Sequence, residues 1–123
     1  MRYFFITPLL VAASVLTPLP GAPIHDAVVS GDITAIKAQL EKGVSIELPV
    51  AKGELQEGFT PLALAITELQ YDTMVFLVEN EADIQTPIKS GEAEGYTAIF
   101  FAAPIADVKY LNFLIGNGAK VNA

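Results

Sequence analysis

Residues 60–84 read TPLALAITELQYDTMVFLVENEADI, and their pattern returns twice more in the chain without a gap. Residues 22–46 read APIHDAVVSGDITAIKAQLEKGVSI and residues 97–121 read TAIFFAAPIADVKYLNFLIGNGAKV, so successive starts lie 38 and 37 residues apart. A fixed period of this size marks a stacked repeat architecture. Each copy reads as two short helices. In the first, Ile24, Ala27 and Val28 share one side of a helix that stops near Gly31. Asp32 can then cap a second helix by accepting from an otherwise unpaired backbone N–H. That helix carries Ile33, Ile36 and Leu40 at three- and four-residue steps, and Gly43 can end it in the left-handed conformation. The matching stripes are Tyr71, Met74 and Val78 in the second copy, and Val108, Leu111 and Ile115 in the third, with Asp107 as cap and Gly118 as stop. A pair of short helices cannot bury its apolar face alone, so the units must stack.

The motifs carry a family resemblance. Thr60-Pro61-Leu62-Ala63-Leu64-Ala65 resembles the T-P-L-H-x-A opening of an ankyrin repeat, Ala22-Pro23-Ile24-His25-Asp26-Ala27 supplies the histidine, and Gly118-Ala119-Lys120-Val121-Asn122 resembles the family's G-A-x-V-N close. The resemblance implies an all-α ankyrin repeat solenoid of three helix-loop-helix units, at about 22–59, 60–96 and 97–123, whose loops project to one side and bind proteins. It also implies that the His25 ring bridges backbone groups of adjacent turns. The usual period is about 33 residues, so the inter-repeat loops at 47–59 (ELPVAKGELQEGF) and 85–96 (QTPIKSGEAEGY) are long. Other departures are Glu81 at the stop position, where Asn80 is expected to turn left-handed, and Leu69 and Ala106 at the inter-helix glycine. Pro104 should shorten its helix, because it has no N–H to donate.

The chain has 123 residues, 52% of them hydrophobic and 17% charged, enough for a packed core. Seven basic against 14 acidic side chains give a formal charge of −7, which repels phosphate backbones and argues against a nucleic-acid partner. With no cysteine, disulfides, zinc–thiolate sites and thiol nucleophiles are excluded. Residues 1–22 contain Arg2, an apolar run from Tyr3 to Leu16, and no acid before Asp26, the pattern of a secretory signal peptide. Thr7-Pro8-Leu9-Leu10-Val11-Ala12-Ala13 imitates a repeat start, but the 15 residues from Thr7 to Ala22 leave no room for a second helix. The expectation is an exported, bacterial-type protein, periplasmic or secreted, with residues 23–123 as the ankyrin domain. The alternative is a membrane-tethered structural element whose leader stays as an anchor, which is the one way a membrane would become a partner.

Nothing in the sequence assembles a reaction centre. His25 is the single histidine, no second His or Cys can partner it, and Ser30, Ser45 and Ser90 lack a neighbouring base or a nucleophile-elbow context. No catalytic, metal or cofactor residues are therefore expected. The acids Glu54, Glu57, Glu92 and Glu94 gather in the two long loops without the spacing of a calcium loop. They are either solvated loop charge or a contact for a basic partner.

The resemblance places protein contacts at the loop tips and on the exposed side of each first helix. In this chain those positions are Val29 and Ser30, then Glu57, Phe59, Thr67 and Glu68, then Glu94, Tyr96, Pro104 and Ile105. Phe59 and Tyr96 are either exposed binding anchors or rings folded back onto their own repeats. The third unit is unusually apolar for the end of a stack. Its off-stripe residues Tyr110, Phe113 and Leu114 are expected on an outer face that docks a partner or a second copy of the chain; the alternative is that the chain is a fragment of a longer repeat array.

Overall fold

The computed structural model describes residues 22–119; the leader segment and the closing Lys120-Val121-Asn122 lie outside the described residues. Six helices follow in three pairs: α1 Pro23–Ser30 with α2 Ile33–Glu41, α3 Pro61–Thr67 with α4 Tyr71–Glu79, and α5 Ala98–Ala102 with α6 Lys109–Gly116. Among the described residues there is no strand. The first helices stack in order, α1 on α3 on α5, and each packs on its own second helix. One core runs through the stack, built on Ile24, Val28, Ile36, Leu62, Leu64, Ile66, Met74, Leu77 and Leu114.

Local chemistry explains the helix ends. Thr60 Oγ1 accepts from the Ala63 N–H at 3.2 Å, and Asp32 Oδ1 accepts from the Ala35 N–H at 3.0 Å. In the first repeat the histidine takes over the cap: the Ala22 N–H donates to His25 Nδ1 at 3.0 Å. Gly31 closes α1 with φ 76°, and Leu69 holds the equivalent link of the second repeat with φ 60°. That conformation costs a non-glycine residue on the order of 1–2 kcal/mol, which the packed repeat must offset.

Four expectations are corrected. The left-handed stop of α4 falls on Glu81, φ 73°, rather than on Asn80, whose side-chain Nδ2 donates to the Phe76 carbonyl at 2.8 Å. Asp107 does not cap α6 as Asp32 caps α2. Ala106 has no left-handed link of the kind seen at Gly31 and Leu69, so α6 starts only at Lys109, and Asp107 Oδ1 accepts from the N–H of that residue, two positions on. The third stripe is also rotated: Val108 and Ile115 are exposed, while Tyr110 and Leu114 lie in the core. Consequently Tyr110 and Leu114 leave the set of outer-face contacts, and Phe113 is half-buried with its ring 6.1 Å from Tyr71.

Register explains the rotation. Ala35, Thr73 and Tyr110 are equivalent, as are Gln39, Leu77 and Leu114, and among the described residues this side of the second helix is buried in the second and third repeats, each preceded by a described repeat, and half-buried in the first. The third repeat has a preceding neighbour, so Tyr110 and Leu114 are covered; Tyr110 meets the Tyr71 ring edge-on at 5.3 Å. Pro104 acts as expected, since α5 has five residues where α1 has eight.

Candidate functional site

The two long loops close in the same way. Val50 N–H donates to the Phe59 carbonyl and Gly58 N–H to the Val50 carbonyl, both at 2.9 Å; Ile88 N–H donates to Tyr96 and Gly95 N–H to Ile88, both at 2.8 Å. These bonds satisfy backbone groups that a long loop would otherwise leave to water. Within the first tip, the Glu57 carboxylate accepts from the Gly53 N–H at 3.1 Å, and Gln56 is held at φ 62°.

The loops also interlock. A Cβ on Gly58 would lie 2.3 Å from the Ser90 carbonyl oxygen, and one on Gly91 would lie 2.5 Å from that of Glu57. Both glycines have positive φ, at 83° and 84°. Two backbones therefore approach to a distance that no side chain permits.

Aromatic rings lie under the joint. Phe59 packs on Phe101 with centroids 4.9 Å apart, and Tyr96 lies 5.6 Å from Phe101 and 5.8 Å from Phe100. Phe59 is half-buried by this stacking, whereas Tyr96 stays 49% exposed. Above the rings opens a cleft of about 460 Å³, with Glu54, Glu57 and Glu92 among the residues lining it. A sequence profile described as Ankyrin repeats (3 copies) matches residues 24–123.

The chain belongs to the ankyrin repeat family. It is 30% identical over 90 residues to an ankyrin repeat protein, FPV242, of Fowlpox virus (strain NVSL). The match covers 73% of this chain and 22% of the viral protein, so the chain spans well under a third of that relative's length.

In this ankyrin domain His25 performs the bridging expected of it. Its Nδ1 accepts from Ala22, so the ring proton sits on Nε2 and is donated to the Leu48 carbonyl at 2.6 Å, tying α1 to the loop that follows α2. The ring is 2% exposed, with both nitrogens committed to the backbone. Burial raises the pKa of the adjacent Asp26 carboxyl, an effect His25 partly opposes. Among the described residues no three His, Asp or Glu side chains converge as metal ligands.

The expected contact residues separate into groups. Glu57, Phe59 and Tyr96 meet at the cleft; Glu94 is exposed but outside its lining. Val29 and Glu68 come together in a smaller hollow of about 130 Å³ beneath Leu55 and Gln56 of the first tip, and the Val29 carbonyl accepts from Gln70 Nε2 at 2.8 Å. Ser30 is exposed with its hydroxyl donating to the Ala27 carbonyl, and Thr67 is exposed at the end of α3. Pro104 is exposed and Ile105 half-buried, and neither lines the cleft. Sequence reasoning missed Phe101, the ring that unites the site, and Leu55, which is 79% exposed at the tip. A register comparison with buried Leu64 identifies Phe101 as the residue turned toward the loops.

Proposed function

We propose that the chain is a non-catalytic protein-binding module, exported from the cell that makes it, which holds or shields a periplasmic or secreted protein through its loop side. The observation that carries this reading is the cleft between two interlocked loop tips, where half-exposed Tyr96 and highly exposed Leu55 stand beside acidic side chains. Interface hot spots favour aromatic anchors of this kind. Export is supported by Arg2 and the apolar run that follows it. Among the described residues no helix is long and apolar enough to cross a membrane. Among the described residues Phe100, Val108 and Ile115 are exposed on the third repeat, an apolar face suited to self-association.

Site-specific photocrosslinking tests the binding reading. A photoreactive phenylalanine analogue in place of Tyr96 should give discrete adducts with one protein of the exported compartment. The same analogue in place of exposed Thr34, on α2, should give none. Equal labelling from both positions, or from neither, would refute the loop side as the binding surface. Mass spectrometry of the exported form tests the leader: the expected mass lacks at least residues 1–14, and an intact chain confined to the cytosol would overturn export.

A further inference from the structure

The protein-binding reading says nothing about the chemistry of the partner, and the cleft between the loop tips does. Its floor is aromatic, with Phe59 and Tyr96 flanking Phe101 at centroid distances of 4.9 and 5.6 Å. Three carboxylates, Glu54, Glu57 and Glu92, belong to its walls, and no Lys, Arg or His does. Among the described residues the single ion pair is Lys109–Asp107, at the start of α6, so no described basic side chain pairs with any of the three acids. Lys52, next to Gly53 in sequence, forms no such pair. Like charges gathered over an apolar floor focus a negative potential into the space between them. The chain's formal charge of −7 adds to that field.

Several occupants are excluded by this combination. Phosphate-bearing ligands are repelled. A bare divalent cation takes six to eight oxygens and has no use for three rings. A lysine ammonium meets the charge requirement but offers no plane to stack. A guanidinium is planar, permanently charged and weakly hydrated; it lies on aromatic faces while its N–H fork meets carboxylates. The cleft, about 460 Å³, has room for such a side chain together with the backbone that presents it. It is also preformed, since the approach of Gly58 to Ser90 and of Gly91 to Glu57 fixes one loop tip against the other before anything binds.

We propose that this cleft is a receptor for an arginine side chain presented by an exposed loop or chain end of a basic partner protein. The proposal rests on the protein-binding reading above and specifies what that surface recognises.

The test is an NMR titration of the ¹⁵N-labelled full chain with a blocked peptide, Gly-Ser-Arg-Arg-Ser-Gly, beside matched peptides carrying citrulline or lysine in place of arginine. Citrulline keeps the shape and removes the charge. The arginine peptide should shift amide signals of residues 53–59 and 91–101 in a saturable way. Its affinity should exceed that of the citrulline peptide by about tenfold or more, and should fall several-fold between roughly 0.05 and 0.3 M salt. Glu54→Gln with Glu92→Gln should weaken binding about tenfold with the thermal midpoint unchanged, and Tyr96→Ala should weaken it about threefold. Citrulline binding as tightly as arginine, lysine matching arginine, or no loop shifts at about 1 mM peptide, a weak-affinity limit, would each overturn the proposal. If the crosslinker at position 96 still captures a protein in that case, the binding reading survives and only the arginine assignment falls.

Discussion

At the amino-terminal end of the stack, the positions that would face a preceding repeat hold Pro23, Ala35 and Gln39; at the other end, those that would face a following repeat hold Phe100, Val108 and Ile115. The difference lies in what surrounds equivalent sites. His25 and Ala63 are buried by the repeat that follows them, while Phe100, in the same register, is 46% exposed. Val28 and Ile66 are buried likewise, and Ala103 is exposed. The outer face of the first described repeat carries small or polar groups and that of the third carries large apolar ones. An interior-type face in water favours association, so the two ends predict different behaviour in solution.

The strongest way to break this comparison is to truncate one register position at both ends. Leu114→Ala should destabilise the fold by about 2–5 kcal/mol in urea unfolding, because Leu114 is fully buried against the second repeat. Gln39→Ala, at the matching site, which is only half-buried, should stay within about 0.5 kcal/mol. Equal losses would mean that the ends are packed alike.

The loops invite a similar contrast between engaged and free glycines. Gly58→Ala and Gly91→Ala should each cost about 1–3 kcal/mol from backbone overlap, beyond the strain of positive φ. Gly53→Ala and Gly95→Ala, where a Cβ meets nothing within 4 Å, should show only the strain, about 1 kcal/mol. Just below these in size, Phe59→Ala should lose about 1.5–3 kcal/mol of burial against Phe101, and Tyr96→Ala less than about 1 kcal/mol while impairing partner capture.

A smaller effect distinguishes the two joints between repeats by pH. Glu47 and Gln85 hold the same register: the Glu47 carboxylate accepts from the Asp83 N–H at 2.7 Å, whereas Gln85 Nε2 donates to the Gly118 carbonyl. Asp83 has its pKa lowered, chiefly by the Thr86 hydroxyl, then by the Gln85 N–H. Its contribution is thus complete above the unfolded carboxylate pKa of about 3.9 and is lost as pH falls through the lower folded value. Glu47 has its pKa raised by burial, so its ionisation opposes folding at neutral pH and that opposition fades on acidification. Asp83→Asn should therefore cost less than about 1 kcal/mol near neutrality, and the gap to wild type should close below about pH 3.9 in unfolding curves. The Gln85–Gly118 bond itself contains no titratable group. Finally, Val108→Lys with Ile115→Lys should leave stability within about 0.5 kcal/mol and abolish any self-association seen by light scattering across a concentration series. A wild type that stays monomeric throughout would remove the functional side of the comparison.

The period of the repeats was legible because helix pairs that must stack repeat their apolar spacing, and Thr60, Asp32 and His25 behave as their positions imply. The third repeat was misread because a stripe inferred from Ile33, Ile36 and Leu40 assumes cover from the repeat that follows, and no described residue gives that cover to Val108 and Ile115. Asp107 looked like a cap because cap identity is local, whereas its geometry depends on the link at Ala106. Phe59 and Tyr96 occupy the same place in sequence. Both rest on Phe101, Phe59 more closely at 4.9 Å than Tyr96 at 5.6 Å, and Phe101 sits in a continuous apolar run, AIFFAA, where no period marks a face. The acids of the cleft were visible as a cluster, but the ring floor between them depends on contacts 42 residues apart, from Phe59 to Phe101.

The interlocked glycines bear on how such a surface evolves. An insertion on either side of Gly58 or Gly91 would pull one backbone off the other, so neither loop can change length without its neighbour. The side chains displayed around them, Leu55, Glu54, Glu92 and Glu94, are exposed and free to be exchanged one at a time. A lineage carrying this pair of loops would diversify its partners by substitution at constant length, and its duplications would have to copy the loops as a matched set.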